Sequence, residues 1–428
     1  MLGGGTFVTQ NKTLPGAYIN FVSASRINSN LADRGIAAIA LPLSWGVDDA
    51  IFTVTSADFR KNCEKIFGFS YSSEAAKGLR DLFKNIQKLY CYKLMKNGNY
   101  ATNSIARAKY KGSAGANLST EILAGTTSGT FDVNIYLNNA IVFSETVSSI
   151  EQLLADDNGW VVWTIESIAE TEKTALAGTD LDGEAVTVTE HTAFLNAVES
   201  YSFNALACLS SEDEIKALYV AAVKDARENY GLKYQLVVYN NNANYEGVVN
   251  VKNNADLVYW VTGIIAGCPI NESNTNRVYD GEFEVEGTYS KVELENAIVA
   301  GEFVLHKVGD DIRVLEDINS LTTITENKGE DFKSNQTIRV VDQIATDIAN
   351  LFNTKYLGKI PNDAAGRISF WNDIVKHHQS LVNLRAITDF VSEDVVVEAG
   401  DDKKSIVVSD KVTVINAISH LYMTVVVQ

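Results

Sequence analysis

Both ends of the chain are nearly uncharged, although the whole chain of 428 residues carries a formal net charge of -18. Residues 1–20 contain no acidic side chain and one basic side chain, Lys12. Residues 420–428 (HLYMTVVVQ) form a strand-like run without a polar tail. An isolated strand leaves its N–H and C=O groups unpaired and becomes stable only when a sheet edge accepts it. The pattern therefore predicts that the chain pairs its ends with other copies of itself.

The two end segments have the local features of strand-donating arms. In the first, glycines at residues 3–5 are flexible, Pro15-Gly16 breaks the chain, and a short β-prone run lies between them. In the last segment, strand alternation places Leu421, Met423, Val425 and Val427 on one face and Tyr422, Thr424 and Val426 on the other. The alternative interpretation is that each end is an edge strand of its own domain. The predicted donated residues are Thr6, Phe7, Val8 and Thr9 at one end and Leu421, Met423, Val425 and Val427 at the other.

Composition indicates an ordinary globular protein, with 46% apolar and 21% charged residues. A chain of this length exceeds what one hydrophobic core supports, which predicts several domains. No apolar stretch approaches the roughly 20 residues that span a bilayer, and the start does not resemble a signal peptide. We therefore expect a protein made in a cytoplasm. Four widely spaced cysteines without a CxxC pair predict buried free thiols.

The negative charge is concentrated in the middle of the chain. Residues 98–190 carry a net charge of -9 and residues 191–335 carry -12, whereas residues 336–428 carry only -2. Phosphate binding needs a basic surface, so this distribution argues against a nucleic-acid partner. An acidic surface of this kind is most often a solvated exterior.

Alternating strand and helix patterns predict an α/β domain that is interrupted by a β-rich insertion. The run IAAIALPL at residues 36–43 predicts a strand covered on both faces. Ser56 is predicted to be the N-cap of a helix through about Phe67, and Ser72 or Ser73 the N-cap of a second helix through about Lys88. Further predicted strands lie at residues 89–94, 205–209 and 234–239, with helices at about 190–200, 211–229 and 255–266.

The β-rich insertion and the C-terminal third have patterns of their own. Short β-prone pieces at residues 131–137, 140–144 and 160–165 are separated in part by Asn138-Asn139, which is typical of a hairpin turn. Residues 282–315 predict a small β-rich unit, with a hairpin over residues 304–314. Residues 336–357 and 363–384 have the helical period, and residues 395–398 and 406–409 predict a hairpin.

These patterns predict a multidomain protein of mixed α/β and α+β class. The predicted parts are an N-terminal arm (1–20), a central α/β domain (21–97 plus 183–270), an inserted β-rich domain (98–182), a β-rich subdomain (271–334), a C-terminal α+β domain (335–419) and a C-terminal arm (420–428).

Motifs for catalysis or cofactor binding are missing, and we predict no catalytic, cofactor-binding or metal site. The sequence has no HExxH, GxSxG or GxxxxGK[ST] motif. His377 and His378 are adjacent on a predicted helix, where neighbouring side chains point about 100° apart, so they are interpreted as exposed or packed helix residues. The glycine pattern at residues 112–115 lacks a third glycine for phosphate binding. Glu282, Glu284 and Glu286 alternate along a predicted strand, so their three carboxylates share one face. This face is interpreted either as a solvated surface or as a contact for a basic neighbour.

Several segments together resemble the sheath proteins of contractile phage tails, of the type found in phages and defective prophage particles of Gram-positive bacteria. The start GGGTFVTQNKTLPGAYINFVSAS resembles that family's opening arm. FKSNQTIRVVDQIATDIANLFNTKYLGKIPNDAAGR (residues 332–367) is similar to its core signature, and LYMTVVVQ is similar to its closing arm. The resemblance covers essentially the whole chain and is weakest over residues 98–182.

The resemblance implies a structural subunit, not an enzyme, that forms stacked six-subunit rings around a tail tube and contracts by rigid-body rearrangement. It implies an inner C-terminal domain, an outward insertion and arms that add strands to neighbouring subunits. The implied partners are other copies of the chain, the tail tube protein, and the baseplate and tail terminator proteins, without nucleic acid or membrane insertion. The implied location is the tail of a phage or phage-like particle made in a bacterial cytoplasm. The tube-facing residues would be Lys359, Arg367 and Lys376.

Two other functions are compatible with the patterns. An α/β enzyme or small-molecule-binding protein with a β insertion would need a polar pocket at the strand ends. A surface-lattice or adhesin subunit would explain self-assembly but would be expected to carry an export signal, which the sequence does not show.

Overall fold

The computed structural model describes residues 33–155 and 157–427. Contacts divide these residues into a large unit (residues 33–345 and 416–427) and a small unit (residues 346–415). The strands are β1 (Ile36–Leu41), β2 (Phe52–Thr55), β3 (Lys88–Lys93), β4 (Ala106–Ala108), β5 (Leu118–Ala124), β6 (Phe131–Leu137), β7 (Ala140–Val147), β8 (Val161–Trp163), β9 (Thr171–Ala175), β10 (Ala205–Cys208), β11 (Gln235–Tyr239), β12 (Val248–Val251), β13 (Glu302–Phe303), β14 (Leu305–Val308), β15 (Asp311–Val314), β16 (Ile387–Thr388), β17 (Val395–Ala399), β18 (Ile406–Asp410) and β19 (Thr413–Val414). The helices are α1 (Ser56–Phe67), α2 (Lys77–Phe83), α3 (Ile150–Ala155), α4 (Val188–Val198), α5 (Asp213–Glu228), α6 (Leu257–Gly267), α7 (Lys291–Val299), α8 (Asn335–Leu351) and α9 (Ala364–Asn383).

A seven-stranded sheet organises the large unit, in the order β13-β12-β11-β10-β1-β3-β2. Strand β1 pairs in parallel with β3 on one side and with β10 on the other, so that Ala37 lies opposite both Leu89 and Ala205. Strand β2 is antiparallel to β3 at the edge of the sheet. The strands predicted at residues 36–43, 89–94, 205–209 and 234–239 all lie in this sheet, which confirms the mixed α/β character.

The apolar run of β1 follows from coverage on both faces of the sheet. Ile39 lies in one core together with Trp260 of α6. Ala38 and Ala40 lie in a second core together with Tyr219 of α5. Successive side chains of a strand point to opposite faces, so a strand between two layers of helices must be apolar at every position.

Between β3 and α4 the chain leaves this sheet and forms two smaller ones. A four-stranded sheet has the order β7-β6-β5-β9, and β4 pairs with β8. These strands share a core that includes Trp45, Trp160 and Trp163. Asn138 and Asn139 both have positive φ angles, of 47° and 69°, in the turn between β6 and β7. The hairpin turn predicted at this asparagine pair is therefore confirmed.

Two helix predictions need correction at their ends. Thr55, not Ser56, caps α1: the Thr55 hydroxyl oxygen accepts a hydrogen bond from the Asp58 backbone N–H at 3.2 Å, whereas the Ser56 hydroxyl donates to the Ile86 carbonyl. The next predicted helix was expected to reach about Lys88 but ends with α2 at Phe83. Lys88 instead begins β3, because its backbone pairs with β1 on one side and with β2 on the other.

The strand predicted at Glu282, Glu284 and Glu286 is wrong, since the structure assigns no strand to residues 280–290. Side chains, not a neighbouring strand, engage this backbone. The Glu282 N–H donates to the Asp81 carboxylate, and the side chains of Asn254 and Asn253 donate to the carbonyls of Glu284 and Glu286. The Glu282 carboxylate accepts from Arg80 at 2.6 Å, so a basic neighbour does contact this segment. The hairpin predicted at residues 304–314 is confirmed as β14 and β15.

The small unit contains the end of α8, all of α9 and the predicted hairpin. The helix expected over residues 336–357 is α8 followed by a π-helical turn, Phe352–Tyr356. Helix α9 begins after Asp363, whose carboxylate accepts from the Gly366 N–H at 2.7 Å. Strands β17 and β18 confirm the hairpin and pair Val397 with Val408. The side chains of Phe370, Ile374 and Val395 form the core of this unit.

The four cysteines, Cys63, Cys91, Cys208 and Cys268, are buried free thiols, as predicted. Burial raises the pKa of Cys63 to about 12 and the pKa of Cys208 to about 11. Since the thiolate is the reactive form, these thiols are poor nucleophiles in the folded chain.

We expect Ellman's reagent to leave all four thiols of the native chain unmodified over the minutes in which an exposed thiol reacts completely. Unfolding in guanidinium should release four thiols per chain. A chain carrying Ser72→Cys, at an exposed position, provides the control and should show one additional thiol that reacts rapidly. A native thiol that reacts as fast as the introduced one would contradict the burial of that cysteine.

Candidate assembly surfaces

The C-terminal segment is anchored at its root and exposed beyond it. The Thr337 hydroxyl donates to the Asn416 side-chain oxygen at 3.2 Å, and the Ala417 N–H donates to the Gln336 side-chain oxygen at 2.8 Å. Both anchors come from the first turn of α8. Within residues 418–427 the structure assigns no strand. Each of seven apolar side chains there is at least 69% exposed, namely Ile418, Leu421, Tyr422, Met423, Val425, Val426 and Val427.

The predicted donated face is part of this exposed segment. Leu421, Met423, Val425 and Val427 are exposed together with Tyr422 and Val426 of the opposite face, so neither face is covered by the described chain. Exposed apolar runs of this kind mark interaction sites. The other predicted donors, Thr6, Phe7, Val8 and Thr9, lie outside the described residues.

The hairpin of β17 and β18 in the small unit has two open edges. Among the described residues, the sheet of β17 and β18 contains no third strand. Its inner side packs on α9, where the Trp371 indole N–H donates to the Val395 carbonyl at 2.9 Å. On its outer side Val396 and Val407 are exposed. A two-stranded sheet is marginally stable by itself and its edges carry unpaired N–H and C=O groups, so it is suited to accept further strands.

The three predicted tube-facing residues do not form one cluster. The Lys359 ammonium donates to the Thr354 carbonyl at 2.5 Å, and the Arg367 guanidinium donates to the Asn362 side-chain oxygen at 2.9 Å. Arg367 is half-buried and Lys376 is exposed. Nine residues correspond to about 900° of rotation on an α-helix, so Arg367 and Lys376 point to opposite sides of α9.

A polar cavity of about 270 Å³ lies beyond the carboxyl ends of β1 and β3, where α/β enzymes bind ligands. Several of its charged side chains have partners of their own. Lys93 is buried and donates to Asp48 at 2.8 Å, and Lys96 pairs with Glu184 at 3.1 Å. The lining residue Glu190 accepts hydrogen bonds from Thr187 as part of the cap of α4. Burial lowers the pKa of Lys93, but its pairing with Asp48 gives it a structural role.

The glycine pattern at residues 112–115 also has a structural explanation. Gly112 has a φ of 115°, and a Cβ atom there would lie 2.1 Å from the Ser44 carbonyl oxygen. A Cβ atom on Gly115 would lie 2.8 Å from the Ala108 side chain. Both positions therefore require glycine for backbone packing, without reference to a phosphate.

In residues 33–155 and 157–427, no helix has the length and apolarity needed to cross a bilayer.

Sequence reasoning missed the anchors of the C-terminal segment. Gln336 and Thr337 are ordinary polar residues at the start of a helix, and their partners Asn416 and Ala417 are about 80 residues away in sequence. No local pattern signals such a contact. The exposed segment itself was detectable because an uncharged strand-like run is unusual in a chain this acidic.

Comparison with known proteins gives consistent results along the chain. Residues 184–320 match the central domain of phage tail sheath proteins, and residues 327–428 match the phage tail sheath C-terminal domain. The phage-like element PBSX protein XkdK of Bacillus subtilis is 28% identical, with 99% of each chain covered. The tail sheath protein of Clostridium phage phiCD119 is 31% identical over 39% of this chain and 50% of its own.

Solved structures agree with these sequence matches. The sheath tail protein of Desulfitobacterium hafniense is 30% identical, with a TM-score of 0.78 over 94% of this chain and 98% of its own. The sheath tail protein of Listeria innocua is 28% identical, with a TM-score of 0.81 over 90% and 92% of the two chains. The helical sheath of the anti-feeding prophage in its contracted state shares the fold, at 12% identity and a TM-score of 0.58. This chain belongs to the phage tail sheath protein family, and it is a structural component of a phage-type tail, not an enzyme.

Proposed function

We propose that this chain forms stacked six-subunit rings around a tail tube and that neighbouring subunits are joined by exchanged strands. The observation that carries the proposal is the apolar segment of residues 418–427, which is exposed throughout in the single chain. Burying an apolar side chain of this size contributes about 1.5–3 kcal/mol. A second copy that accepts the segment would gain this energy and would also pair its backbone.

The acceptor would be the hairpin of β17 and β18, to which no other strand of the described residues pairs. The C-terminal arm of one neighbour and the N-terminal arm of another would add a strand at each edge. The face formed by Leu421, Met423, Val425 and Val427 would pack on the acceptor, as would the run Thr6, Phe7, Val8 and Thr9. A donated strand makes a heterologous contact, which propagates from copy to copy and does not close in a pair.

Contraction would be a rigid-body rearrangement of subunits that stay connected through their arms. The hinges would be the glycines at residues 3–5, Pro15-Gly16 and the chain near Lys411. The extended sheath would be a kinetically trapped state whose energy is stored during assembly, without nucleotide hydrolysis. The described anchors at Gln336 and Thr337 support a further hinge beyond Ala417, where the exposed segment begins.

The remaining parts would follow the predicted arrangement. Residues 335–419 would face the tube protein, and residues 98–182 would face outward. The candidate tube contacts are Lys359, Arg367 and Lys376, of which Arg367 and Lys376 point to opposite sides of α9 and would contact different surfaces. The tail terminator and the baseplate would bind the two ends of the sheath, and the baseplate would trigger contraction. The solved anti-feeding prophage relatives include a baseplate and a contracted helical sheath. The chain would be made in a bacterial cytoplasm and would act in the tail of a phage or phage-like particle.

The test is electron microscopy of the purified full chain, alone and with its tail tube protein. We expect hollow tubes built from stacked rings with six-fold symmetry, and cross-linked species larger than dimers because donation propagates. An assembly with another symmetry would overturn the ring proposal. A chain that stays monomeric in the presence of its tube protein would overturn assembly around a tube.

A further inference from the structure

Four side chains of the small unit form a continuous chain of polar contacts. His377 and His378 of α9 are buried, with 2% and 0% of their surfaces exposed. His377 Nε2 lies 2.9 Å from an Asp347 carboxylate oxygen on α8, and His378 Nε2 lies 2.9 Å from an Asp410 carboxylate oxygen at the end of β18. The two Nδ1 atoms are 3.2 Å apart. The row Asp347–His377–His378–Asp410, which we call the histidine row, therefore connects α8, α9 and β18.

Hydrogen-bond donors and acceptors in the histidine row fix the number of protons. An ionised carboxylate only accepts, so each Nε2 atom must carry a proton. The two Nδ1 atoms must share one proton, because two lone pairs or two N–H groups at 3.2 Å would repel. The two rings thus hold three protons, and one of them is a cation. The Ile374 carbonyl lies 3.1 Å from His378 Nδ1, and this second acceptor places the shared proton on His378.

We infer that the histidine row is a proton-dependent lock that holds β18 against α9 only while the two rings carry one positive charge. Loss of the third proton would leave two Nδ1 lone pairs facing each other. Gain of a fourth proton would place two cations side by side in the core. Either change disrupts the row, so the attachment of the hairpin has an optimum with a decline on both sides. Histidine is the side chain whose unperturbed charge changes between about pH 5 and 8, so pH is the variable that tests the lock.

The surroundings of the rings favour the single charge. Among the described contacts of the two rings, the charged partners are Asp347 from α8 and Asp410 from β18. The loop after β16 contributes the uncharged Phe390 ring, 5.0 Å from the His378 ring. On α9 itself, Asp373 is engaged by Lys355 and Tyr356. Two carboxylates facing the pair from opposite ends stabilise one proton in excess of the two neutral rings.

The position of the lock gives it a consequence for assembly, which rests on the proposed function. Asp410 is the last residue of β18 and precedes Lys411, whose backbone N–H donates to the Asp394 carbonyl. The lock thus holds the end of the hairpin that we propose as the acceptor of arms from neighbouring subunits. Subunits whose lock is broken would present a loosened acceptor. Assembly would therefore be restricted to the pH range in which the two rings carry one positive charge.

The proton count is tested directly by nuclear magnetic resonance of the full chain with ¹⁵N-labelled histidine. The chain has five histidines, so the ring signals are few, and His377→Gln and His378→Gln assign the pair. At the pH at which the β18 amides are best protected, we expect His378 to show two protonated nitrogens and His377 to show one, with Nδ1 unprotonated. Two neutral rings, or two cationic rings, at this pH would overturn the inference.

Hydrogen exchange of the β18 amides, expressed as protection factors, tests the lock itself. In the native chain we expect the protection factors to be maximal in the pH range in which the two rings carry one positive charge. They should fall about tenfold or more at lower and at higher pH, as loss of a charge-assisted hydrogen bond predicts. His378→Gln should remove this pH dependence, while His306→Gln, on the separate hairpin of β14, should keep it. Native protection without an optimum, or an optimum that persists in His378→Gln, would overturn the lock.

Asp410→Asn provides a second variant in case His378→Gln does not fold. The Asp410 side chain is 24% exposed, so this substitution should be tolerated. The asparagine amide removes the carboxylate that stabilises the cation, so the fall in protection should begin at lower pH on the alkaline side. If protection of β18 falls at the same alkaline pH in Asp410→Asn as in the native chain, the role of Asp410 is contradicted. None of these measurements requires assembled sheath, so failure of the lock and failure of the sheath proposal are separate results.

Discussion

Deletion of residues 418–428 is expected to abolish tube formation while leaving a folded, monodisperse chain. The apolar side chains of this segment are exposed and contribute to no core in the described chain, so their removal should not unfold either unit. The deletion keeps Asn416 and Ala417, which bind Thr337 and Gln336. Assembly should be lost because each deleted donor would bury several side chains worth about 1.5–3 kcal/mol each.

Sedimentation and electron microscopy, with circular dichroism as the test of folding, measure this effect. The double variant Met423→Asp and Val425→Asp keeps the length of the segment but places two charges on the packing face, and it should fail to assemble in the same way. Thr424→Ser, on the opposite face, is the matched control and should still form tubes. Tubes formed by the deleted chain would contradict strand donation by the C-terminal arm.

The substitution Asp317→Asn is expected to destabilise the large unit by about 3–5 kcal/mol, because it leaves a buried cation without its counter-charge. Arg339 of α8 lies 3.0 Å from the Asp317 carboxylate, and both side chains are 1% exposed. The same carboxylate accepts from the Asn274 N–H and from the Asn335 side chain. The ion pair thus fixes the start of α8 to the preceding loops of the same unit.

Urea unfolding followed by tryptophan fluorescence measures this loss, since four of the five tryptophans belong to the large unit. Glu295→Gln is the control, because its pair with Lys291 is exposed and should contribute less than about 1 kcal/mol. Combining Asp317→Asn with Arg339→Met should recover part of the loss by removing the unpaired charge. Equal effects of Asp317→Asn and Glu295→Gln would show that the buried pair does not stabilise the unit.

Local patterns were sufficient for the elements whose environment repeats along the chain. The apolar run at Ile36–Leu41 predicted a strand covered on both faces, and the helical period predicted α8 and α9. The turn at Asn138 and Asn139 was predictable because these residues tolerate positive φ. The family was likewise detectable from sequence, since its signature segments are contiguous.

Predictions failed where distant residues decided the outcome. The run around Glu282 alternates like a strand, but Asp81 and two asparagines bind its backbone in place of a strand neighbour. The helix expected to reach Lys88 ends at Phe83 because β1 and β2 pair with the chain from Lys88 onward. Alternation and propensity describe what a segment can do, and competing partners decide what it does.

The sequence by itself determined the mixed α/β character, the uncharged strand-like ends and the family, because each depends on residue types in contiguous segments. Only the tertiary structure decided that Gln336 and Thr337 anchor the C-terminal segment and that Asp317 neutralises Arg339. It alone placed Asp347 and Asp410 at the two ends of the histidine pair. Those contacts join residues that are 22 to 81 positions apart, and their energies depend on burial and on distances that no local pattern contains.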